Sequence, residues 1–255
     1  MNIICLKWGD KFNHVHVNRL YKMVSKNYKD AFNFICYTEN SSRIDKNIEI
    51  RNLDLSYNLE KWWWKLTLFK DVSRNPSIFL DLDVVVQRDM THFKKYCDED
   101  KICTIKAWWK PHVRNSKPEP PKYNMDLNSS VLIWKGDLTK VWKEFYDSSD
   151  YLMLKYNGID SYLYFHHKDK LNFLPKGEVY SRLYGIDENN YYRDGVLTSP
   201  MFKEDSYTIC IFNGWKRKIH KVTKKYYRRV YKGAFNNCFN FFFIIATDNP
   251  RYYKQ

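Results

Sequence analysis

The distribution of apolar positions along the first part of the chain predicts alternating strands and helices. Short apolar runs typical of buried strands occur at 2–8, 32–38 and 48–53. The spacing of apolar residues at 15–27 and 60–74 predicts helices. This order implies crossover connections and a mostly parallel sheet. The first part of the chain is therefore expected to form the α/β, Rossmann-like half of a domain.

The pattern changes in the second half, where strands and helices follow one another less regularly. Strands are predicted at 101–109, 127–134 and 206–214, and helices at 136–148 and 158–168. Asp137 is a candidate N-cap for the first of these helices. The segment 110–124 holds four of the eight prolines and is expected to be a binding loop or a lid. We find no clear linker, so we expect one α/β domain with a mixed sheet.

The composition is that of a compact globular protein. Apolar residues make up 44% and aromatic residues 18% of the 255 positions, which argues against disorder. No signal peptide is visible, because Lys7 and Asp10 interrupt the first apolar run. The apolar run at 238–246 is shorter than the roughly 20 residues that a membrane-spanning helix needs. We therefore expect a soluble, cytoplasmic protein.

The six cysteines do not form a zinc or redox motif, because none of them belongs to a CxxC pair. Cys5, Cys36 and Cys210 each lie in an apolar, strand-like run and are expected to be small buried side chains. This use of cysteine weakly favours a reducing compartment.

The chain is strongly basic, with 43 Lys and Arg against 29 Asp and Glu and a formal net charge of +14. Such a charge favours anionic partners. The densest basic block, at 215–232, is interleaved with aromatic residues. It suits a nucleic-acid backbone, a diphosphate or a membrane surface, and by itself does not distinguish among them.

Two carboxylates interrupt an apolar run in the segment SIFLDLDVVV. Asp81 and Asp83 are one residue apart, so in a strand both would point the same way. Unpaired charges within a sheet are costly, whereas at the carboxyl end of a strand they face the crevice where open α/β sheets bind ligands. Carboxylates there suit Mg²⁺ or Mn²⁺, which can bridge a diphosphate. The sequence favours such a metal clamp over two surface acids, since apolar residues flank both sides.

This segment resembles the DxD segment of GT-A type glycosyltransferases, in particular the glycogenin and bacterial galactosyltransferase group (glycosyltransferase family eight). IICLKWGDKF is similar to the first strand and uracil-side loop of that family, and WWWKLTLF to a helix that brings a basic residue near the nucleotide. LNSSVLIW resembles FNSGVLLI, YNGIDSYLYF resembles GDQDALN, and ICIFNGWKRKIHKV resembles the closing HFxGxxKPW segment. The resemblance implies a single GT-A domain over residues 1–222, with a mixed, mostly parallel sheet flanked by helices. Residues 223–255 would form a basic and aromatic extension packed on it.

The resemblance also implies roles for individual residues. Asp81, Asp83 and Asn213 would hold Mn²⁺ or Mg²⁺. Asn128 and Asp160 would act at the reacting sugar. Contacts to the nucleotide-sugar would come from Trp8, Gly9, Asp10, Lys65, Asp81, Asn128, Ser129, Gly214, Lys216 and Lys218.

Three residues depart from the family pattern. Asn213 stands where relatives have a metal-binding histidine, and an amide oxygen is a weaker ligand; the nearby His220 is a possible substitute. Ser130 replaces a glycine, which would narrow the acceptor side. Ser161 replaces a glutamine, so the resemblance does not assign which residue faces the reactive carbon of the sugar.

Several residues have a structural interpretation beside the functional one. Lys65 is equally a solvated helix lysine, and Asp160 is equally a helix cap. Of Trp62, Trp63 and Trp64, one or two should pack inward, which leaves one to stack on a sugar or base or only to cover an edge. Trp108 and Trp109, beside the proline-rich loop, are candidates for stacking on an acceptor.

The sequence thus favours a metal-dependent glycosyltransferase that uses a UDP- or GDP-sugar and a carbohydrate-containing glycan, lipid or protein acceptor. One alternative, motivated by Asn213 and Ser161, is a catalytically impaired relative that binds carbohydrate. Another is a basic nucleic-acid-binding protein, but acids in its groove would repel phosphate. We therefore expect no nucleic-acid partner, and peripheral membrane contact through the basic C-terminal block stays open.

Overall fold

The computed structural model describes residues 1–109, 125–181 and 207–211. Ten strands lie in these ranges: β1 (Asn2–Lys7), β2 (Asn33–Thr38), β3 (Glu49–Asn52), β4 (Ser73–Leu80), β5 (Val84–Val86), β6 (Ile102–Lys106), β7 (Leu127–Gly136), β8 (Leu171–Phe173), β9 (Val179–Ser181) and β10 (Ile209–Ile211).

Four α-helices and four 3₁₀ helices accompany the strands in the described ranges. The α-helices are α1 (His14–Asn27), α2 (Thr139–Tyr146), α3 (Ser149–Lys155) and α4 (Ile159–His166). The 3₁₀ helices are η1 (Leu55–Tyr57), η2 (Lys61–Phe69), η3 (Thr91–Tyr96) and η4 (Lys168–Lys170). No helix among the described residues is long and apolar enough to cross a membrane.

The strands form two sheets. The larger has seven strands in the order β3-β2-β1-β4-β7-β6-β8, and only β7 runs against the others. The smaller has the order β5-β10-β9, with β10 antiparallel to β5 and parallel to β9. The predicted α/β class with a mixed, mostly parallel central sheet is confirmed.

Alternation along β1 divides the core between the two faces of the large sheet. Ile3 and Cys5 pack with α1 on one face, while Ile4 and Leu6 pack with η2, α2 and α4 on the other. Because both faces are covered, strands of this sheet read as nearly continuous apolar runs. The predicted burial of three cysteines is confirmed: the side chains of Cys5, Cys36 and Cys210 are fully buried.

Helix α1 begins with a reciprocal cap that accounts for a histidine near its start. The side chain of Asn13 accepts a hydrogen bond from the backbone N–H of Val15 (3.0 Å), and the backbone N–H of Asn13 donates to Nδ1 of His16 (3.2 Å). Such a pair satisfies helix N–H groups that have no partner within the helix. His16 is therefore a structural residue.

The segment predicted as a helix at 60–74 differs from the expectation. It is the 3₁₀ helix η2, and β4 already begins at Ser73. Every residue from Trp63 to Phe69 is buried, because η2 lies between the sheet and the helices α2 and α4. The one-sided apolar spacing that suggested an α-helix does not describe residues 63–69, which are all buried.

The helix predicted at 136–148 begins later, at Thr139, and its N-cap position is Leu138 rather than Asp137. Asp137 nevertheless accepts the N–H of Thr139 at 2.9 Å, so it caps the first turn from one position upstream.

Several predicted features fall outside the described residues. These are the proline-rich loop 110–124, the end of the predicted strand at 212–214, the basic block 215–232 and the extension 223–255. The division of the chain after residue 222 therefore stays a prediction.

Candidate active site

Asp81 and Asp83 lie in the turn that joins the two sheets. Strand β4 ends at Leu80, β5 begins at Val84, and the N–H of Val84 donates to the carbonyl oxygen of Asp81 (3.3 Å). The carboxylates thus stand at the carboxyl end of a parallel strand, as expected. The two acids do not lie within one strand, because the apolar residues on either side belong to different sheets.

Lys65 is the partner of the first carboxylate. Its Nζ lies 2.8 Å from Oδ1 and 2.9 Å from Oδ2 of Asp81, and it also donates to the carbonyl oxygen of Ser129 at 3.1 Å. The side chain of Lys65 is only 9% exposed. A solvated helix lysine is therefore excluded, and the charge-assisted bonds fix the ammonium at the end of β4.

A bulge in β7 brings backbone groups to the same place. Thr104 of β6 pairs with Leu132, but Ile105 pairs with Asn128, so residues 129–131 leave the ladder with β6, while Val131 still pairs with Leu80 of β4. The hydroxyl of Thr104 lies 3.0 Å from the carbonyl oxygens of Asn128 and Val131, which holds the two sides of the bulge. Bulges of this kind free backbone groups and redirect side chains.

Ser129, in this bulge, connects Lys65 to the start of α4. Its N–H donates to Oδ1 of Asp160 at 3.0 Å, while its carbonyl oxygen accepts from Lys65. The next residue, Ser130, accepts the N–H of Asp81 at 3.0 Å through its carbonyl oxygen. The N-cap position of α4 is Gly158, so Asp160 is not the cap but a bridge from the helix to β7.

Asn128 shapes the bulge from inside. Its Oδ1 accepts the N–H of Ser130 at 3.1 Å, and its side chain is half-buried. This bond satisfies the polar side chain that opens an otherwise apolar strand. The catalytic role predicted for Asn128 stays a prediction.

The two carboxylates differ in electrostatic environment. Burial and the charge of Asp81 raise the pKa of Asp83 to about 6, and the more weakly acting charges of Lys11 and Lys65 oppose this rise. Asp81 has its charge neutralised by Lys65, whereas Asp83 bears a charge that the surrounding groups compensate incompletely. Burial beside another carboxylate disfavours the ionised form of Asp83. Carboxylate oxygens are the kind of hard ligand that Mg²⁺ and Mn²⁺ prefer, and the metal site expected here stays a prediction.

Positive charge gathers at the carboxyl ends of β1 and β2. Lys7, the last residue of β1, is buried and donates to the hydroxyl of Thr38 at 3.2 Å. Burial, Arg43 and Lys7 together lower the pKa of His14. Sequence reasoning missed Lys7 and Lys11. The only signal for Lys7 was its position as a lysine at the end of an apolar strand.

The predicted nucleotide contacts Trp8, Gly9 and Asp10 directly follow β1, at the same edge of the sheet. Gly9 has φ +59°, and its N–H donates to Oε1 of Glu39 at 2.7 Å. This left-handed conformation turns the chain sharply where the strand ends. Their roles as nucleotide contacts stay predictions.

The remaining predicted site residues follow β10. Asn213, Gly214, Lys216, Lys218 and His220 lie outside the described residues. Within the described ranges, no group of three or more His, Cys, Asp or Glu side chains is placed to hold a metal ion. Ile211, the last residue of β10, pairs with Val84 next to the DxD turn.

A half-buried carboxylate holds β10 in place. Glu178 accepts the hydroxyl of Thr208 at 2.7 Å, the hydroxyl of Tyr96 at 2.8 Å and a bond from Nε2 of His92 at 2.9 Å. Its carbonyl oxygen also accepts the N–H groups of Thr208 and Ile209, each at 3.0 Å. The strand that leads to the closing segment is thereby anchored to η3.

Two other candidates do not reach the site. Ser161 is fully buried and its hydroxyl has no hydrogen-bond partner among the described residues, so it cannot face a substrate in this conformation. Trp109 is 2% exposed and belongs to the core, so its assignment to acceptor stacking is wrong. Trp108 is half-buried and packs edge-on against it, with ring centroids 5.8 Å apart.

A cavity of about 450 Å³ opens elsewhere, beside the amino end of β1. Its lining includes Asn2, Trp64, Ser77 and Trp134, but neither carboxylate of the DxD turn, nor Lys65, nor Asp160. The cavity is therefore separate from the candidate site around Asp81 and Asp83, which lies at the opposite end of β1.

Comparisons with known proteins give a fold but no sequence relative. No protein-family model matches the sequence, and the search of curated proteins finds no match. Among solved structures, the galactosyltransferase LgtC in complex with donor and acceptor sugar analogs matches with a TM-score of 0.59 and 14% identity, over 89% of this chain and 94% of that one. The chain has a glycosyltransferase fold of the GT-A type.

Two further glycosyltransferases show the same fold with similar TM-scores and similarly low sequence identity. The apo form of GlyE from Streptococcus pneumoniae TIGR4 matches with a TM-score of 0.55 and 12% identity, over 88% of this chain and 59% of that one. The bifunctional WbbM matches with a TM-score of 0.54 and 9% identity, over 85% and 46%. The fold resemblance expected from the order of motifs is confirmed.

Proposed function

We propose that the protein is a metal-dependent glycosyltransferase that transfers a sugar from a UDP- or GDP-sugar to a carbohydrate-containing acceptor. One observation carries the proposal: Asp81, Lys65, Ser129 and Asp160 form a connected network at the carboxyl edge of a GT-A sheet. Open α/β sheets bind ligands at this edge. The fold alone would not carry it, because one fold hosts many activities.

Asp81 and Asp83 are the residues that would hold Mn²⁺ or Mg²⁺, with Asn213 as a third ligand. Such an ion supplies Lewis-acid stabilisation of the negative charge on a departing diphosphate. The incompletely compensated charge of Asp83 and the two oxygen donors in one turn support this assignment.

Residues of the chain itself would bind and orient the donor. Lys65, held by Asp81 and Ser129, presents a fixed positive charge beside the metal position. Lys7 and Lys11 add positive charge where a nucleoside diphosphate would lie, and the buried Lys7 is the more rigid of the two. Fixed charges of this kind stabilise a transition state without reorganisation during the reaction.

Asp160 would position the reacting sugar. Its carboxylate is tied to the N–H of Ser129 at 3.0 Å, which orients it from the first turn of α4. Asn128, fixed by Ser130, would contribute hydrogen bonds to sugar hydroxyls from the adjacent bulge. Lys216 and Lys218 would neutralise the diphosphate.

A second candidate is a relative that binds carbohydrate without turning it over. The burial of Ser161, at the position where relatives have a glutamine, favours this candidate, since the fully buried hydroxyl cannot replace the longer side chain. Both candidates would bind the sugar ligands, and only the glycosyltransferase would catalyse transfer.

The test is the release of UDP or GDP from a panel of UDP- and GDP-sugars in the presence of Mn²⁺, with and without added sugar acceptors. We expect release by the wild type and its loss in Asp81→Asn/Asp83→Asn. Nucleotide binding without release would favour the second candidate. The absence of both would contradict the proposal.

A further inference from the structure

Trp62 stands apart from its two neighbours in the sequence WWW. Trp63 and Trp64 are 5% and 3% exposed and pack in the core, whereas Trp62 is 44% exposed. A single exposed aromatic residue is common on protein surfaces and by itself indicates nothing. Trp62, however, lies close to two elements of the candidate site, the helix η2 that carries Lys65 and the start of α4 that carries Asp160.

Trp62 and Lys65 lie on the same face of η2. Side chains three residues apart in a 3₁₀ helix are eclipsed, and one turn rises about 6 Å. Lys65 bonds Asp81 and the carbonyl oxygen of Ser129, so its face of η2 is the face turned to the candidate site. The backbone position of Trp62 therefore lies one turn before that of Lys65, whose ammonium contacts the DxD turn.

The other side of the indole is fixed by α4. A Cβ atom added at Gly158 would overlap Nε1 and Cδ1 of Trp62, so the indole lies directly against the backbone at the start of this helix. Gly158 has φ +142°, a conformation that residues with side chains rarely adopt. Two residues later, Asp160 bonds Ser129, which bonds Lys65. Trp62 is thus linked to the candidate site in two ways, through η2 to Lys65 and through Gly158 to Asp160.

The surroundings of the indole indicate the chemistry of what it meets. The exposed residues next to Trp62 and Gly158 along the chain, Glu60, Lys61 and Asn157, are polar, so the flat apolar ring has polar side chains beside it in the sequence. The ammonium of Lys61 lies 5.9 Å from the centre of the indole, and the Lys61 side chain is 62% exposed and free to move aside. A lipid chain would need a wider continuous apolar patch. A pyranose, with one apolar face and hydroxyls around its edge, fits this arrangement.

We propose that Trp62 is the stacking platform for a carbohydrate acceptor, held beside Asp160 by the glycine at position 158. This inference rests on the proposed function and narrows it, because it makes the acceptor a sugar ring rather than a lipid or a peptide. The sugar packs its C–H face on the indole, and its hydroxyls stay available to polar groups such as the carboxylate of Asp160, two residues after Gly158.

Saturation-transfer NMR tests the proposal. The probes are methyl glycosides of glucose, galactose and N-acetylglucosamine and the disaccharides lactose, cellobiose and chitobiose, each with UDP or GDP and with the diamagnetic Mg²⁺ in place of Mn²⁺. We expect at least one probe to bind the wild type, with its affinity reduced about tenfold in Trp62→Ala and largely retained in Trp62→Phe. Trp62→Leu, which keeps an apolar side chain without a flat ring, should behave as Trp62→Ala does.

The matched control is Tyr151→Ala on α3, which removes another exposed aromatic side chain (61% exposed). It should leave sugar binding unchanged. Equal sugar affinity in Trp62→Leu and wild type would overturn the proposal, as would binding of UDP or GDP to the wild type without binding of any sugar. Failure of both nucleotides to bind would instead contradict the proposed function, while a sugar signal lost in Trp62→Leu would still support the platform.

Discussion

Lys65 and Asp81 form an ion pair in which one ammonium lies 2.8 Å from Oδ1 and 2.9 Å from Oδ2 of the same carboxylate. Asp83, two residues further on, carries a charge that is compensated less well, and its pKa is raised to about 6. The two acids of one motif are thus already different before any ligand binds. Asp81 is neutralised by Lys65, whereas burial and the charge of Asp81 disfavour the ionised form of Asp83.

Replacement of Lys65 by methionine should destabilise the protein as well as impair donor binding. The change leaves Asp81, only 25% exposed, without its positive partner. Loss of one member of such a pair is expected to cost about 2–4 kcal/mol of unfolding free energy. Urea denaturation measures this, with Lys70→Met, an exposed lysine just after η2, as the control.

The double variant Lys65→Met/Asp81→Asn should recover much of that stability, because no charge is left unpaired. It should not recover binding of UDP or GDP. A double-mutant cycle with no coupling between the two positions would show that the ion pair is not a stabilising contact.

Asp83→Asn should make the metal-free protein more stable at neutral pH. The raised pKa means that the folded protein holds the Asp83 proton more tightly than the unfolded chain, so stability falls as pH rises from about 4 to about 6. Above that range the wild type has lost a constant amount of unfolding free energy, about 1–3 kcal/mol. The variant does not lose it, because its amide side chain carries no charge. Thermal unfolding in EDTA from pH 4 to 8 should show a flatter profile for the variant. Identical profiles would contradict this assignment of charge.

Glu178→Gln should loosen β10 without unfolding the large sheet. Although burial acts to raise it, hydrogen bonds from His92, Thr208 and Tyr96 hold the pKa of Glu178 below its ordinary value. A group with a lowered pKa stabilises the fold above its unfolded pKa and loses this effect as pH falls through the folded one. We expect a loss of about 1–3 kcal/mol, seen as faster hydrogen exchange at Ile209–Ile211. Unchanged exchange there, with β1 as internal reference, would refute the anchoring role.

Gly158→Ala should displace the indole of Trp62. The added methyl group would overlap the ring, and the positive φ is strained for alanine, so we expect a cost of about 1–3 kcal/mol. Gly177→Ala is the matched control, because its φ is also positive (+97°) but a Cβ there meets nothing within 4 Å. A larger loss of stability at 158 than at 177 would confirm the contact with Trp62, and equal losses would argue against it.

The strands and the place of the acids were predictable because they depend on local pattern. Continuous apolar runs marked β1, β2 and β4, and the carboxylates were correctly placed where β4 ends. The turn between β4 and β5 was not foreseen, since the apolar residues on both sides resemble one strand. That they belong to two sheets depends on β10, far away in the sequence.

The network around Ser129 could not be predicted from the sequence. It depends on the bulge in β7, which exists only when β7 pairs with β6 across the register shift at Thr104. The resemblance indicated Lys65, Asn128 and Asp160 as a set, but spacing alone did not show that Lys65 is buried. Lys7 and Lys11 were missed because single lysines in a basic chain carry no distinguishing pattern.

Calorimetric titration of UDP and GDP into wild type and Asp81→Asn/Asp83→Asn, with and without Mn²⁺, tests most directly whether the DxD turn binds a nucleotide-sugar. We expect one nucleotide to bind the wild type only when the metal is present, and this binding to disappear in the double variant. Binding that is equally strong in the double variant, or binding of neither nucleotide under any metal condition, would contradict the assignment of a nucleotide-sugar site to the DxD turn.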